Sequence, residues 1–145
     1  MFAPHPALPG EDEIQVTRAW SRATVGDGGN GVVYLTIENT SAQVERIVAV
    51  STPVAKRASV HETVHRDGMM QMVPTPSLEI APASRLELKP GGLHVMLMGL
   101  RAPIVQGSRF PLTIRFERAG LVRVEVVAGS VGALDAPDPS DAGEQ

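Results

Sequence analysis

Two short stretches of the chain hold most of its histidine and methionine. Residues 60–73, VHETVHRDGMMQMV, and residues 91–100, GGLHVMLMGL, contain five of the six methionines and three of the four histidines. Thioether sulfur is a soft, neutral donor that suits Cu(I) and holds Zn, Mg or Ca poorly, and imidazole completes such a donor set. The only acids in the two stretches are Glu62 and Asp67, whereas hard cations need carboxylate oxygens. The two stretches therefore favour a copper(I) site.

The alternation of residues in the second stretch indicates a β-strand with two different faces. A period of two places a His-Met-Met row, His94, Met96 and Met98, on one face and aliphatic side chains on the other. The aliphatic face is the natural core face. We therefore expect the sheet to present the row away from the core, where other strands carry Thr, Lys or Glu.

The first stretch has the same character on either side of a turn. His61 and His65 lie on one face of a predicted strand, opposite two valines. After the Asp-Gly turn at 67–68, Met70 and Met72 share a face. Histidine and methionine thus alternate together with aliphatic residues in both stretches.

Each of these residues taken alone has a simpler interpretation. Methionine is a flexible filler of gaps in cores, and a lone histidine is more often a surface or hydrogen-bonding residue than a ligand. We adopt that interpretation for His65, which stands beside a turn, and for His5 near the start of the chain. The conjunction of both residue types opposite an aliphatic face, in both stretches, is what favours a shared site.

The composition of the whole chain excludes several classes of protein. Its 145 residues are enough for one domain with a proper core. A net charge of −3, with bases spread along the chain and 3% aromatic residues, excludes a nucleic-acid binder. No apolar run approaches the roughly 20 residues that span a bilayer. The absence of cysteine excludes disulfides, thiolate zinc sites, cysteine nucleophiles and a blue-copper centre.

Between its ends the chain predicts an all-β domain. Segments of five to ten residues, such as GVVYLTIENT, are separated by Gly, Pro and Asn turns, and no apolar stripe of helical period is long enough for a core helix. Leu112, Ile114 and Phe116 face one way, and after an Ala-Gly turn at 119–120 three valines mirror them, which predicts a closing hairpin. We expect an antiparallel β-sandwich or barrel.

The two ends differ from the centre in composition. Residues 1–12 hold three prolines and an acidic cluster and predict a flexible N-terminal arm. Residues 132–145 hold four acids and no base and predict a disordered acidic tail, which leaves the domain at 13–131. The first residues lack the basic start and apolar core of a signal peptide, so that either the protein is cytosolic or a leader has been removed.

Four of the histidines and methionines also match a known spacing. Ten residues separate His61 from Met72, twenty-one separate Met72 from His94, and one separates His94 from Met96. This pattern, H-x10-M-x21-H-x-M, resembles that of the PCuAC-type (DUF461-like) periplasmic copper chaperones. Further elements of that family are Ala-Trp-x-Arg at 19–22, Tyr-Leu-x-Ile-x-Asn at 34–39 and LELKPGGLHVMLMGL at 86–100. The resemblance covers about residues 14–127.

The resemblance implies a cupredoxin-like antiparallel β-sandwich or Greek-key barrel that carries one Cu(I) ion per chain in an exposed site. It implies His61, Met72, His94 and Met96 as ligands, and a periplasmic location with the leader removed. It also implies a copper chaperone that supplies the CuA centre of cytochrome c oxidase, with oxidase subunit II or another copper-assembly protein as partner. The chain departs from many relatives at 64–65, where they carry a second methionine, and from some in its tail, which lacks histidine and methionine.

Other functions stay open on the residues alone. An all-β protein-interaction module could use the His/Met-rich surface as a contact patch, since methionine suits adaptable recognition. A copper- or iron-dependent oxygenase using His61 and His94 lacks a third strong ligand at a suitable spacing. With no Gly-x-Ser-x-Gly element, phosphate loop or carboxylate pair, we expect that the protein is not an enzyme. The sequence does not decide whether Met98, Met70 or His65 replaces a ligand during transfer.

Overall fold

The computed structural model describes residues 13–26, 29–75 and 77–137, with the backbone alone at Met72. All the regular secondary structure within these residues is β-strand, which confirms the predicted all-β class. The strands are β1 (Ile14–Ser21), β2 (Gly31–Asn39), β3 (Glu45–Ser51), β4 (Ala55–Arg66), β5 (Met69–Pro74), β6 (Leu78–Ile80), β7 (Ser84–Leu88), β8 (Leu93–Leu100), β9 (Arg109–Phe116) and β10 (Gly120–Ala128). The predicted arm, 1–12, and residues 138–145 of the predicted tail lie outside the described residues. In the described part, no helix could cross a bilayer.

Hydrogen bonds join the strands into one sheet. Their order is β5-β4-β8-β2-β1-β10-β9-β3-β6, and β7 pairs with β2 off this path. The strand pairs are antiparallel except for β1 and β10, which run parallel, with Trp20 opposite Val127. The sequence predicted antiparallel pairing, but most of the chain lies between β1 and β10, so no tight turn dictates their relative direction.

Side chains from both halves of the sheet pack in one hydrophobic core. In the predicted closing hairpin, Val122 of β10 lies opposite Ile114 of β9, and Ile114 is fully buried. Val95 and Leu97 of β8 are 1% and 0% exposed and belong to the same core cluster. The aliphatic face of β8 is therefore the core face, as its alternation predicts.

A buried carboxylate ties the start of β3 to the turn between β9 and β10. Glu45 is fully buried, and its carboxylate oxygens accept hydrogen bonds from the backbone nitrogens of Arg46 at 2.8 Å, Arg118 at 2.9 Å and Ala119 at 2.9 Å. Charge-assisted hydrogen bonds of this length are about twice as strong as neutral ones. The carboxylate thus holds together two segments that are distant in sequence.

We expect Glu45→Gln to destabilise the fold, because the amide NH₂ replaces an acceptor and faces a backbone donor. The free energy of unfolding should fall by about 2 kcal/mol, and the melting temperature by about 5 °C. Thermal unfolding followed by circular dichroism measures the change. The matched control is Glu117→Gln, since Glu117 pairs with Arg46 at 3.4 Å on the surface and should matter little. Equal effects at both positions would contradict the role of Glu45.

Candidate metal centre

The pairing of β4 with β8 sets two of the predicted ligands directly opposite each other. His61 is the partner of His94, and their ring centroids lie 6.1 Å apart with planes 14° from parallel. Ser59 is the partner of Met96, so that Met96 is a diagonal neighbour of His61 on the same face. The two strands therefore bring a stacked pair of imidazoles next to a thioether.

The strand β5 brings the fourth predicted ligand to the same face. The β4–β5 hairpin pairs Thr63 with Met72 and His65 with Met70. Residues opposite each other in a ladder share a face, so position 72 of β5 lies on the same face as Thr63 of β4. Thr63 is two residues after His61 and therefore shares the face of His61 as well. The side chain of Met72 lies outside the described part of the chain. At the level of the backbone, the register gathers all four predicted ligands on one face.

The two imidazoles are more buried than the sequence predicted. His61 is 7% exposed and His94 is 2% exposed, while Met96 and Met98 are half-buried. The row lies on the face opposite the core, as predicted, but β8 runs between β2 and β4, whose side chains flank the row on that face. Val32 of β2, for example, is the partner of Met96. The expectation of an exposed His94 is therefore wrong.

Each histidine has its Nδ1 atom engaged by the residue two positions before it. Nδ1 of His94 lies 3.2 Å from the carbonyl oxygen of Gly92. Nδ1 of His61 lies 3.4 Å from the carbonyl oxygen of Ser59 and 3.3 Å from its hydroxyl. A carbonyl only accepts, so Nδ1 of His94 carries the proton and Nε2 keeps the lone pair. Sequence reasoning did not single out Ser59 or Gly92, although their spacing from the two histidines is identical.

The Nε2 atom of His94 is buried and has no hydrogen-bond partner among the described residues. Such atoms are rare, because an unpaired buried acceptor costs about 1–3 kcal/mol. Burial lowers the pKa of His94 below its ordinary value, and the neighbouring His61 lowers it further, while the hydrogen bond to Gly92 acts in the opposite direction. His94 therefore holds a neutral imidazole with a free lone pair, which is the form that binds a metal.

Carboxylates take little part in this face of the sheet. Glu62 follows His61 on β4 and is exposed, and the alternation of a strand places it on the other face. In residues 13–26, 29–75 and 77–137, no three His, Cys, Asp or Glu side chains form a group that could hold a metal ion. The donors that the register gathers are imidazoles and thioethers.

Comparison with protein families and curated sequences shows similarity over most of the chain. Residues 14–128 match the family described as "Putative lipoprotein LpqE-like". A protein of Leifsonia xyli, named "Putative lipoprotein Lxx21020", is 35% identical over 106 residues, or 72% of this chain. Protein RP573 of Rickettsia prowazekii is 28% identical over 115 residues, or 76% of this chain. The matches span 63% of the length of each relative.

Comparison with solved structures shows the same fold in several proteins, among them PmoF2 and DR1885. The apo PCuAC domain of PmoF2 superimposes with a TM-score of 0.71 at 22% identity, covering 86% of this chain and 95% of that domain. The Cu(I) form of DR1885 from Deinococcus radiodurans gives a TM-score of 0.61 at 28% identity, covering 79% of this chain and 78% of DR1885. The predicted cupredoxin-like β fold is confirmed.

Proposed function

Since the chain belongs to the LpqE-like family, the PCuAC-type family that its His/Met spacing resembles, we propose that it is a copper chaperone and not an enzyme. It binds one Cu(I) ion through His61, Met72, His94 and Met96 and passes the ion to another protein. The observation that carries this proposal is the buried Nε2 of His94, which has no hydrogen-bond partner in the described part of the chain and whose opposite nitrogen is held by the carbonyl oxygen of Gly92. A metal ion that accepts this lone pair would give the buried nitrogen its missing partner.

The donor set favours Cu(I) over other ions. Two neutral imidazoles and two thioethers leave a bound Cu(I) ion with a total charge of +1, whereas a divalent ion would leave +2 in a partly buried place without a carboxylate to offset it. The similarity to DR1885, whose structure is named as a Cu(I) form, supports the same oxidation state. X-ray absorption of the Cu(I)-loaded protein tests the site: two sulfur and two nitrogen neighbours support it, and a shell without sulfur contradicts it.

The same donors explain why the ion can leave again. Thioethers bind Cu(I) more weakly than thiolates do, so transfer runs downhill from this site to an acceptor that offers cysteine. The acceptor that fits is the CuA centre in subunit II of cytochrome c oxidase, or another copper-assembly protein. The lipoprotein description of the family favours the outer side of the cytoplasmic membrane, and we place the protein in the periplasm.

We expect Met96→Leu to weaken Cu(I) binding by about 10- to 100-fold, because leucine fills the volume of methionine without offering sulfur. The fold should lose less than about 1.5 kcal/mol of stability. Met72→Leu should act in the same way. A competition titration against a Cu(I) chelator measures the affinity.

The matched control is Met98→Leu, which changes the same residue type on the same strand. Met98 is the partner of Arg57, which is two residues beyond Ser59 and further from His61. The affinity of the Met98→Leu variant for Cu(I) should stay within about twofold of that of the wild type. A larger loss at Met98 than at Met96 would show that the wrong methionine has been assigned.

A further inference from the structure

A second His-Met pair lies on the ligand face, at the turn end of the β4–β5 hairpin. His65 is the direct partner of Met70 in the antiparallel ladder. Both side chains are exposed, Met70 at 64%. The pair repeats the donor chemistry of the buried site, with one imidazole and one thioether, but at the surface.

The hydrogen bonds of the ladder show how close the two side chains are. The amide of Thr75 donates to the carbonyl of Val60 at 2.8 Å, which makes 60 and 75 a hydrogen-bonded pair. Hydrogen-bonded and non-hydrogen-bonded pairs alternate along an antiparallel ladder, so that His65 and Met70, five positions further along, form a non-hydrogen-bonded pair. In such pairs the Cα atoms are about 4.5 Å apart and the side chains are at their closest. One ion can reach both donors.

The turn fixes this arrangement. Asp67 and Gly68 have φ angles of 52° and 75° and form the two-residue loop of the hairpin. Loops with two positive φ angles match the twist of the strands and set their register. A slip of one residue would move Met70 to the opposite face. The His-Met pair is therefore positioned by the backbone before any metal arrives.

Packing does not explain why these side chains are where they are. Burial of a methionine side chain contributes about 1.5–3 kcal/mol, and an exposed one gives up most of it. His65 lies four residues from His61 on β4, about 13 Å along the strand. Position 72 is the partner of Thr63, which lies midway between these two histidines on the same face. The three positions form a row from the surface to the buried imidazoles.

We propose that His65 and Met70 form an outer Cu(I) site through which copper reaches and leaves the buried site. The outer site rests on the proposed copper-chaperone function and deepens it. Two donors bind the ion more weakly than four, so the outer site holds copper in transit and takes up a second ion only after the buried site is filled. The ion moves between neutral donors without change of oxidation state, and one protein donor replaces another at each step.

The test compares the wild type with the double variant His65→Gln, Met70→Leu in Cu(I) titrations and in transfer to excess bicinchoninate. The control is Met69→Leu, since Met69 is 63% exposed in the same hairpin but is the partner of Arg66, on the opposite face. We expect the double variant to bind the first equivalent of Cu(I) within about twofold of the wild type. It should release that copper about tenfold more slowly, and Met69→Leu should release it at the wild-type rate.

A second readout follows the sites directly by NMR of ¹³C-labelled methionine methyl groups. In the wild type, a second equivalent of Cu(I) should shift the Met70 methyl signal and leave that of Met69 in place. An unchanged release rate in the double variant, or a Met70 signal that ignores the second equivalent, overturns the outer site. If the wild type did not bind the first equivalent of Cu(I), the copper function itself would be overturned, so the two failures are distinguishable.

Discussion

Replacement of His94 by asparagine should lower the affinity for Cu(I) by at least about 100-fold. The asparagine amide can still donate to the carbonyl oxygen of Gly92, because its nitrogen takes the place of Nδ1, whereas the ligand atom Nε2 is lost. The variant therefore removes the metal donor and keeps the hydrogen bond that orients it. A competition titration measures the affinity, and circular dichroism of the apoprotein reports whether the fold is kept.

The control for this change is His65→Asn, which removes an imidazole from the exposed end of the same face. Its affinity for the first equivalent should stay within about twofold of the wild type, because His65 is four residues from His61 on β4. A folded His94→Asn protein with wild-type affinity would remove His94 from the site. Equal losses in both variants would mean that the effect is a general one of charge or folding.

The affinity for Cu(I) should also fall steeply with decreasing pH. Imidazole binds a metal only when neutral, so below the pKa of each histidine ligand a proton must leave before copper can bind. Burial lowers the pKa of His94 below its ordinary value, which keeps this ligand neutral, and the affinity high, to lower pH than an exposed histidine would. Once the pH is below the pKa of both ligands, each further unit should cost about 100-fold in affinity.

The measurement is a Cu(I) titration at several pH values, corrected for protonation of the competing chelator. A limiting slope of two in log affinity against pH supports two histidine ligands, and the His94→Asn variant should retain a slope of one. Thioethers carry no proton, so a flat profile would leave a site made of methionine alone. A slope of one in the wild type would mean that only one histidine is a ligand, and His61 is the one we would then remove from the site, because His94 shares β8 with Met96.

The alternation of the sequence was enough to predict the faces and turns that carry the site. The period of two in β8 predicted that Val95 and Leu97 face the core, and the Asp-Gly pair at 67–68 marked the turn between β4 and β5. These features depend on neighbours in sequence. The assignment of Met72 stays a prediction, since only its backbone is placed.

Features that depend on distant segments escaped the sequence. His94 is buried where it lies opposite His61 of β4, a strand that is not adjacent to β8 in the chain. A glutamate is normally expected at the surface, yet Glu45 is buried because the backbone of residues 118–119 supplies its donors. The parallel pairing of β1 with β10 joins the two ends of the domain. No local pattern encodes any of these contacts.

The exposure of the hairpin methionines has a further consequence for oxidation. Met69 and Met70 are 63% and 64% exposed, and accessible thioethers are converted by oxidants to sulfoxides. A sulfoxide is polar and presents a hard oxygen, for which Cu(I) has little preference. Oxidative stress would therefore stop Met70 from binding copper beside His65, while the buried imidazoles of His61 and His94 remain able to bind it. Because methionine sulfoxide reductases reverse the modification, the damage is repairable without synthesis of a new chain.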